Sequence, residues 1–344
     1  MYKDFYGLKQ NPFSLSPNPD FVCMTAQHRE AISGLIYGVC TRGGLTLLVG
    51  EVGTGKTTLL YTLLGFLEKR RHIVGLCTNP RLSCAEFYNY ILSALEVPCV
   101  SSLKSQQLMA LRTTLLSNSE AGRPAVLIVD EAQKLDPDLL EEIRLLMNLE
   151  TPQQKLLHII MAGQPELDET LRRPEYRQLK QRVNYFCRLK ALDLGELEEY
   201  VTHRLSRAGL PHQTLFSSAV IQVIYEYTNG IPRLVNTLCD NSLQAGFATN
   251  SPQITIPIVH EAAADLDLQI DSRRPPKLAR ESEGSLPDAA RPGMPAGTPP
   301  LSPAELSDLD RERRKKYAVR TPLDNYSDRQ ESLGFLGGLL GRWR

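Results

Sequence analysis

Several features that would assign the chain to a class of partner are missing from its sequence. The 344 residues contain 39 Lys and Arg against 39 Asp and Glu, so the formal net charge is zero and points to no nucleic-acid or membrane partner. No segment approaches the roughly 18 uninterrupted apolar residues that a membrane-spanning helix needs. The N-terminus carries acid and lacks the apolar core of a secretion signal. We therefore expect a cytoplasmic protein without a membrane span.

The cysteines are odd in number and scattered, and none stands in a C-x-x-C pair. This pattern favours buried thiols in a reducing compartment over a disulfide framework or a zinc site. The seven cysteines are Cys23, Cys40, Cys77, Cys84, Cys99, Cys187 and Cys239.

Length and composition allow two compact domains and some unstructured chain. Hydrophobic residues make up 42% and charged residues 23%, as in ordinary globular proteins. The opening residues mix prolines with aromatic side chains, which predicts an irregular segment anchored by Phe5, Tyr6 and Phe13. The predicted divisions are this N-terminal segment (1–25), an α/β domain (26–190), a helical domain (191–270) and a tail rich in proline and glycine that we expect to be disordered (271–344).

Short apolar runs alternate with helical patterns between residues 26 and 190. This alternation predicts an α/β fold with a doubly wound parallel sheet of five strands, whose ligands bind at the carboxyl ends of the strands. The predicted strands are Leu45 to Val49, His72 to Cys77, Ala125 to Val129, Leu156 to Ala162 and Val183 to Leu189.

A glycine-rich stretch lies between the first predicted strand and a helix. It reads Gly-Glu-Val-Gly-Thr-Gly-Lys-Thr at 50–57 and fits the phosphate-loop pattern G-x-x-x-x-G-K-[ST]. Its glycines let backbone N–H groups approach a polyphosphate, Lys56 neutralises the β- and γ-phosphates, and Thr57 offers its hydroxyl to Mg²⁺. The alternative is a strand-to-helix turn without a ligand. The predicted nucleotide-binding residues here are Gly50, Glu51, Val52, Gly53, Thr54, Gly55, Lys56, Thr57 and Thr58.

Two acids follow the third predicted strand, at the same sheet edge as the phosphate loop. Asp130 is predicted to hold Mg²⁺ through its water shell, and Glu131 to orient and deprotonate an attacking water. The alternative is a pair of surface acids that cap a strand. Gln164, just past the fourth strand, is predicted to contact both the γ-phosphate and the water, with a plain turn residue as the alternative.

Arginines crowd the segment before and within the last strand, where one subunit could reach the nucleotide of a neighbour. We predict Arg182 in this role and Arg177 as the second choice, although solvated or salt-bridged arginines are the common case. Arg233 follows Gly230-Ile231-Pro232 at the start of a helix in the helical domain, where it is predicted to lie over the nucleotide.

The tail contains a basic run at 311–316 and an apolar terminus at 335–344 with the only Trp. A solvated charge run and a frayed end are the favoured interpretations, because runs of like charge are usually tails. A docking peptide for a partner or for an acidic surface is the alternative.

Taken together, these motifs resemble those of the general secretion pathway A (ExeA-like) branch of the AAA+ ATPases, over roughly residues 1–268. The resemblance is carried by Phe5-Tyr6-Gly7-Leu8 with Asn11-Pro12-Phe13, the phosphate loop, Val129-Asp130-Glu131-Ala132-Gln133, Gly163-Gln164-Pro165-Glu166-Leu167 and Gly230-Ile231-Pro232-Arg233.

The resemblance implies an ATPase that assembles into rings or arcs, with ATP and Mg²⁺ at the subunit interfaces and the helical domain as a lid. Arg182 matches the interface arginine of the family, and Arg233 matches its sensor 2 arginine. His28 lies in the helix expected to pass near the adenine, with a surface polar residue as the alternative.

Members of this branch often continue into a transmembrane helix and a peptidoglycan-binding domain, which this sequence lacks, whereas shorter relatives are associated with polysaccharide export and protein sorting. We expect an ATPase that drives or regulates assembly of an envelope secretion or polysaccharide export system, in the cytoplasm or peripherally at the inner membrane. The alternative is an ATP-dependent, DNA-associated switch that assists transposition, as in other AAA+ ATPases of the group. Zero net charge weakens this alternative, although 69–72 and Arg172-Arg173 are local basic stretches.

Overall fold

The computed structural model describes residues 2–15, 21–41, 44–99, 101–210 and 215–270. The tail 271–344, with its basic run and its apolar terminus, lies outside the described residues. Within the described ranges, no helix combines the length and the apolar character that crossing a membrane requires.

A parallel sheet of five strands forms the centre of residues 44–190. The strands are β1 (Leu45–Gly50), β2 (Ile73–Cys77), β3 (Ala125–Val129), β4 (Leu157–Gly163) and β5 (Val183–Leu189). Their order across the sheet is β2-β3-β4-β1-β5, and each neighbouring pair is parallel. The three inner strands are buried along their whole length, which explains their unbroken apolar runs. The predicted α/β fold with five parallel strands is confirmed.

Helices precede, connect and follow the strands. They are α1 (Tyr2–Phe5), α2 (Ala26–Cys40), α3 (Lys56–Lys69), α4 (Cys84–Ala94), α5 (Lys104–Glu120), α6 (Pro137–Leu146), α7 (Pro165–Leu171), α8 (Arg177–Lys180), α9 (Leu194–Arg207), α10 (Ser218–Thr228), α11 (Pro232–Ala248) and α12 (Ile256–Asp265). Local sequence explains where several helices begin. Capping boxes precede α4 and α9, formed by Ser83 with Glu86 and by Asp193 with Glu196. Proline occupies the first turn of α6, α7, α11 and α12, where its missing N–H costs no helical hydrogen bond.

The described residues contain two hydrophobic cores. One lies around the sheet and its flanking helices, and the other combines α9 to α12 with the N-terminal segment. Tyr6 and Phe13 are buried in the second core, as their prediction as anchors requires. Buried Arg204 on α9 ties the same segment down, because its guanidinium donates to the carbonyl oxygens of Pro12 at 2.5 Å and Ser14 at 3.2 Å.

Three expectations from the sequence are wrong. The N-terminal segment is not irregular throughout, because Tyr2–Phe5 forms one helical turn. Phe5 is not a buried anchor like Tyr6 and Phe13, because it is 37% exposed and contacts Tyr6 and Phe247 edge to face at the surface. Cys40 is exposed at the last residue of α2, whereas Cys77, Cys187 and Cys239 are buried as predicted and the remaining cysteines are half-buried.

Candidate nucleotide-binding site

The phosphate loop lies between the carboxyl end of β1 and the first turn of α3. Gly53 and Gly55 have φ angles of 81° and 97°, in the left-handed region that favours glycine. A Cβ atom at Gly53 would also lie 2.7 Å from Cβ of Arg233, so a side chain there would collide with the start of α11. The glycines therefore give the loop both its curvature and its contact with the helical domain.

Lys56 lies beneath the loop and is buried. Its Nζ donates to the carbonyl oxygens of Gly50 at 2.6 Å and Glu51 at 2.8 Å. An ammonium group has three N–H donors, so one remains for a phosphate oxygen. Burial lowers the pKa of Lys56, while the negative charges of Asp130 and Glu131 act in the opposite direction.

Thr57 and Asp130 are brought together as their motifs predict. Thr57 Oγ1 donates to Asp130 Oδ2 at 2.8 Å, and the other carboxylate oxygen of Asp130 accepts from the Glu131 N–H at 2.8 Å. Asp130 is only 4% exposed, and its N–H donates to the carbonyl of Cys77 at the end of β2. A hydroxyl and a carboxylate side by side are ligands that suit a hard cation such as Mg²⁺.

Glu131 occupies the turn that follows β3, with a left-handed φ of 54°. Its Oε2 accepts from Lys134 Nζ at 2.9 Å and from Gln133 Nε2 at 2.9 Å. The hydrogen bond from Lys134 is the main cause that lowers the pKa of Glu131, and burial opposes it. The carboxylate is therefore ionised at neutral pH, as a proton acceptor must be.

Sequence reasoning did not assign a role to Gln133 or Lys134. Both lie on the 3₁₀ turn Ala132–Lys134, which folds their side chains back onto the acid that precedes it. The signal that could have found them is their position two and three residues after Glu131. A tight turn places residues at this spacing within hydrogen-bond reach.

Gln164 lies at the same sheet edge, at the N-cap position of α7. Its N–H donates to Gln133 Oε1 at 3.1 Å, so the turn after β4 is linked to the turn after β3. The structure therefore brings Gln164 close to the paired acids, and its contact with a γ-phosphate stays a prediction.

Arg233 and His28 approach the phosphate loop from two other elements. The Arg233 N–H donates to the carbonyl of Gly53 at 3.2 Å, while the Arg233 side chain is exposed. His28 on α2 is buried, with its Nδ1 2.8 Å from Thr25 Oγ1, and a Cβ atom at Gly55 would lie 3.3 Å from its Nε2. Burial lowers the pKa of His28, so the imidazole is neutral at neutral pH. The surface alternative for His28 is wrong.

Arg182 does not lie among the residues around the phosphate loop. It directly precedes β5 and donates to the Arg144 carbonyl at 3.1 Å and to Asn148 Oδ1 at 2.7 Å. The strand register pairs Leu45 with Val183 and Gly50 with Leu189, so Arg182 lies at the opposite end of the sheet from the phosphate loop. Five residues of parallel strand measure roughly 17 Å, which is too far for its guanidinium to span.

Two other arginines of the crowded segment are salt-bridged. Buried Asp168 accepts from Arg172 at 2.6 Å and from Arg188 at 3.3 Å. Arg177, the second choice for the interface arginine, is exposed at the first residue of α8.

The contact between the helical domain and the phosphate loop agrees with the lid that the resemblance implies. The family model described as an AAA domain matches residues 40–171. Residues 40–171 therefore form an AAA domain, the nucleotide-binding domain of the AAA+ class.

The chain is similar to general secretion pathway protein A. It is 42% identical over 255 residues to that protein of Aeromonas hydrophila, covering 74% of this chain and 46% of the relative. The chain thus spans about half the length of this relative. The resemblance inferred from the motifs is confirmed.

Solved structures share the fold at low sequence identity. Cdc6p from Pyrobaculum aerophilum is 19% identical with a TM-score of 0.58, over 74% of this chain and 70% of that one. A chain of Drosophila ORC bound to DNA is 18% identical with a TM-score of 0.57, over 77% of this chain and 66% of that one. This likeness concerns the AAA+ fold.

Proposed function

We propose that the chain hydrolyses ATP in a Mg²⁺-dependent reaction at the carboxyl edge of its sheet. The observation that carries the proposal is the 2.8 Å contact between Thr57 Oγ1 and Asp130 Oδ2, beside the buried ammonium of Lys56. When bound there, Mg²⁺ would neutralise charge on the phosphate oxygens.

The chain's own side chains then have separable tasks. Lys56 offers its third N–H to a phosphate oxygen, and the ionised Glu131 orients a water and accepts its proton. Gln164 contacts the γ-phosphate and this water, and Arg233 contacts the nucleotide from the helical domain. His28, packed against the loop, lies beside the adenine.

We further propose that the chain works as a ring or an arc of identical subunits. Arg182 lies about one strand length from the phosphate loop of its own chain, so it suits the nucleotide of a neighbouring subunit better. An arginine supplied in this way stabilises the charge that develops as the γ-phosphate separates.

The work done with the ATP is assembly or regulation of an envelope secretion or polysaccharide export system, in the cytoplasm or at the inner membrane face. The support is the 42% identity to general secretion pathway protein A. In the host cell, replacing the gene by one encoding Lys56→Ala should abolish that export. Unchanged export, together with ATP-dependent and steeply salt-dependent binding of duplex DNA, would favour the DNA-associated alternative instead.

Hydrolysis is tested with Glu131→Gln, which keeps the size of the side chain and removes the proton acceptor. We expect ATP turnover to fall by at least about 100-fold while ATP binding persists, because a positioned base contributes on this scale. Glu141→Gln is the matched control, since Glu141 is an exposed carboxylate on α6 that pairs with Arg144. Turnover that survives Glu131→Gln, or that continues in excess EDTA, would contradict the proposal.

A further inference from the structure

The side-chain amide of Gln133 bridges two turns at the carboxyl edge of the sheet. Its Nε2 donates to Glu131 Oε2 at 2.9 Å, and its Oε1 accepts from the backbone N–H of Gln164 at 3.1 Å. One amide therefore contacts both the proposed proton acceptor and the turn that carries the proposed γ-phosphate contact.

The chemistry of the two contacts fixes the orientation of this amide. The carboxylate of Glu131 can only accept, and the N–H of Gln164 can only donate. A flipped amide would place its carbonyl oxygen against the carboxylate and its NH₂ group against the N–H. No other uncharged side chain of this length offers a donor and an acceptor in these positions.

The strand beside Gln133 makes room for the bridge. A Cβ atom at Gly163, the last residue of β4, would lie 2.8 Å from Gln133 Oε1 and 3.2 Å from the Gln133 backbone nitrogen. Real Cβ atoms essentially never show the first distance, so a side chain at position 163 would displace the amide, and it would also lie 3.0 Å from Leu167 Cδ2. The glycine is needed here for space.

The bridge also selects one oxygen of Glu131. Gln133 and Lys134 both bind Oε2. Among the hydrogen bonds of the described residues none involves Oε1, so Oε1 is the oxygen left to accept a hydrogen bond from a water. Because Gln133 fixes the carboxylate to the Gln164 turn, both groups keep their positions relative to one water molecule.

We infer that Gln133 is a positioning residue for hydrolysis: it holds Glu131 and the Gln164 turn in register through one oriented amide. The inference rests on the proposed role of Glu131. It assigns Gln133 no contact with ATP, so nucleotide affinity is expected to be independent of it.

The test compares Gln133→Leu and Gln133→Glu in the full chain. Leu removes both hydrogen bonds, whereas Glu still accepts from the Gln164 N–H but brings a second negative charge to Glu131. We expect kcat to fall about 10-fold or more with Leu, because a hydrogen bond to a charged group contributes on this scale, and to fall further with Glu. KM and ATP affinity should stay within about twofold. Gln244→Leu is the matched control, since Gln244 also donates to a carboxylate, Asp240 at 3.0 Å, on the exposed surface of α11.

Two further readouts separate positioning from a general structural effect. In a Glu131→Gln background, measured in single turnovers, Gln133→Leu should cause no further loss. In Gln133→Glu, the added charge should raise the pKa of Glu131 and move the acidic limb of the kcat profile to higher pH. Gly163→Ala, which displaces the amide and also crowds Leu167 Cδ2, should lower kcat in the same way, and Gln133→Glu carries the test if Gln133→Leu does not fold.

The inference would be overturned by full turnover in Gln133→Leu, by an equal loss of ATP affinity, or by additive losses with Glu131→Gln. If Glu131→Gln itself kept full turnover, the proposed function would fail first. If Glu131→Gln were inactive and Gln133→Leu unaffected, only the positioning role would fail.

Discussion

The two ends of the central sheet differ in how their polar side chains are held. At the carboxyl edge, each acid is held by a short contact: Asp130 accepts from the Thr57 hydroxyl, and Glu131 pairs with Lys134. At the amino edge, Arg182 donates to two neutral oxygen atoms, and His158 is buried with its Nε2 3.1 Å from Thr46 Oγ1. In the proposed assembly, the carboxyl edge holds a nucleotide of its own chain and the amino edge offers Arg182 to a neighbour.

The largest expected effect comes from Lys56→Ala at the carboxyl edge. Removing the buried ammonium takes away the charge that faces the phosphates, so turnover should fall by at least about 1,000-fold. ATP binding should be lost as well, as measured by calorimetry. Lys69→Ala is the control, because Lys69 is exposed at the other end of the same helix. ATP affinity that survives Lys56→Ala would break the assignment of this edge.

Arg182→Ala at the amino edge should have the next largest effect. If Arg182 serves a neighbour's nucleotide, turnover should fall by about 1,000-fold, and each subunit should still bind ATP. Arg177→Ala is the comparison variant, because Arg177 is an exposed arginine of the same segment. A loss with Arg177→Ala and none with Arg182→Ala would transfer the role to Arg177.

His158→Gln should have the smallest effect on turnover at neutral pH, although it changes the response of stability to acid. Burial, aided by His72, lowers the pKa of His158 from 6.5 to about 4. Between these pH values His158 is protonated in the unfolded chain and neutral in the folded one. As the pH falls from 6.5 to 4, this group therefore lowers the unfolding free energy of the wild type by about 3 kcal/mol. Glutamine keeps a polar group near Thr46 and does not titrate. Urea unfolding at pH 7 and pH 4.5 should show a smaller acid loss in the variant, and an equal loss would exclude a neutral buried His158.

Much of the fold could be predicted from the sequence, because buried parallel strands are continuous apolar runs. Val183–Leu189 is the fifth strand with the predicted bounds. The helical turn Tyr2–Phe5 could not be predicted, since four residues show no helical periodicity. The exposure of Phe5 and Cys40 depends on which neighbours pack against them, which a single sequence does not contain.

The candidate site likewise has features that the sequence predicts and features that it does not. Lys56, Thr57, Asp130 and Glu131 were predictable because motif spacing and strand ends bring them to one edge. The bridge from Gln133 to Gln164 was not, because it depends on the left-handed conformation of Glu131 and on the space beside Gly163. The partners of Arg182 likewise depend on how the end of α6 packs near the start of β5.

We propose that one ATP site uses the carboxyl edge of one subunit and the amino edge of the next. The most direct test mixes Glu131→Gln with Arg182→Ala, each nearly inactive alone. If Arg182 acts across the interface, a random equal mixture has an intact Glu131 opposite an intact Arg182 at roughly one quarter of the interfaces. We predict that ATP turnover recovers toward that fraction of wild type. A mixture as inactive as its components would contradict the account.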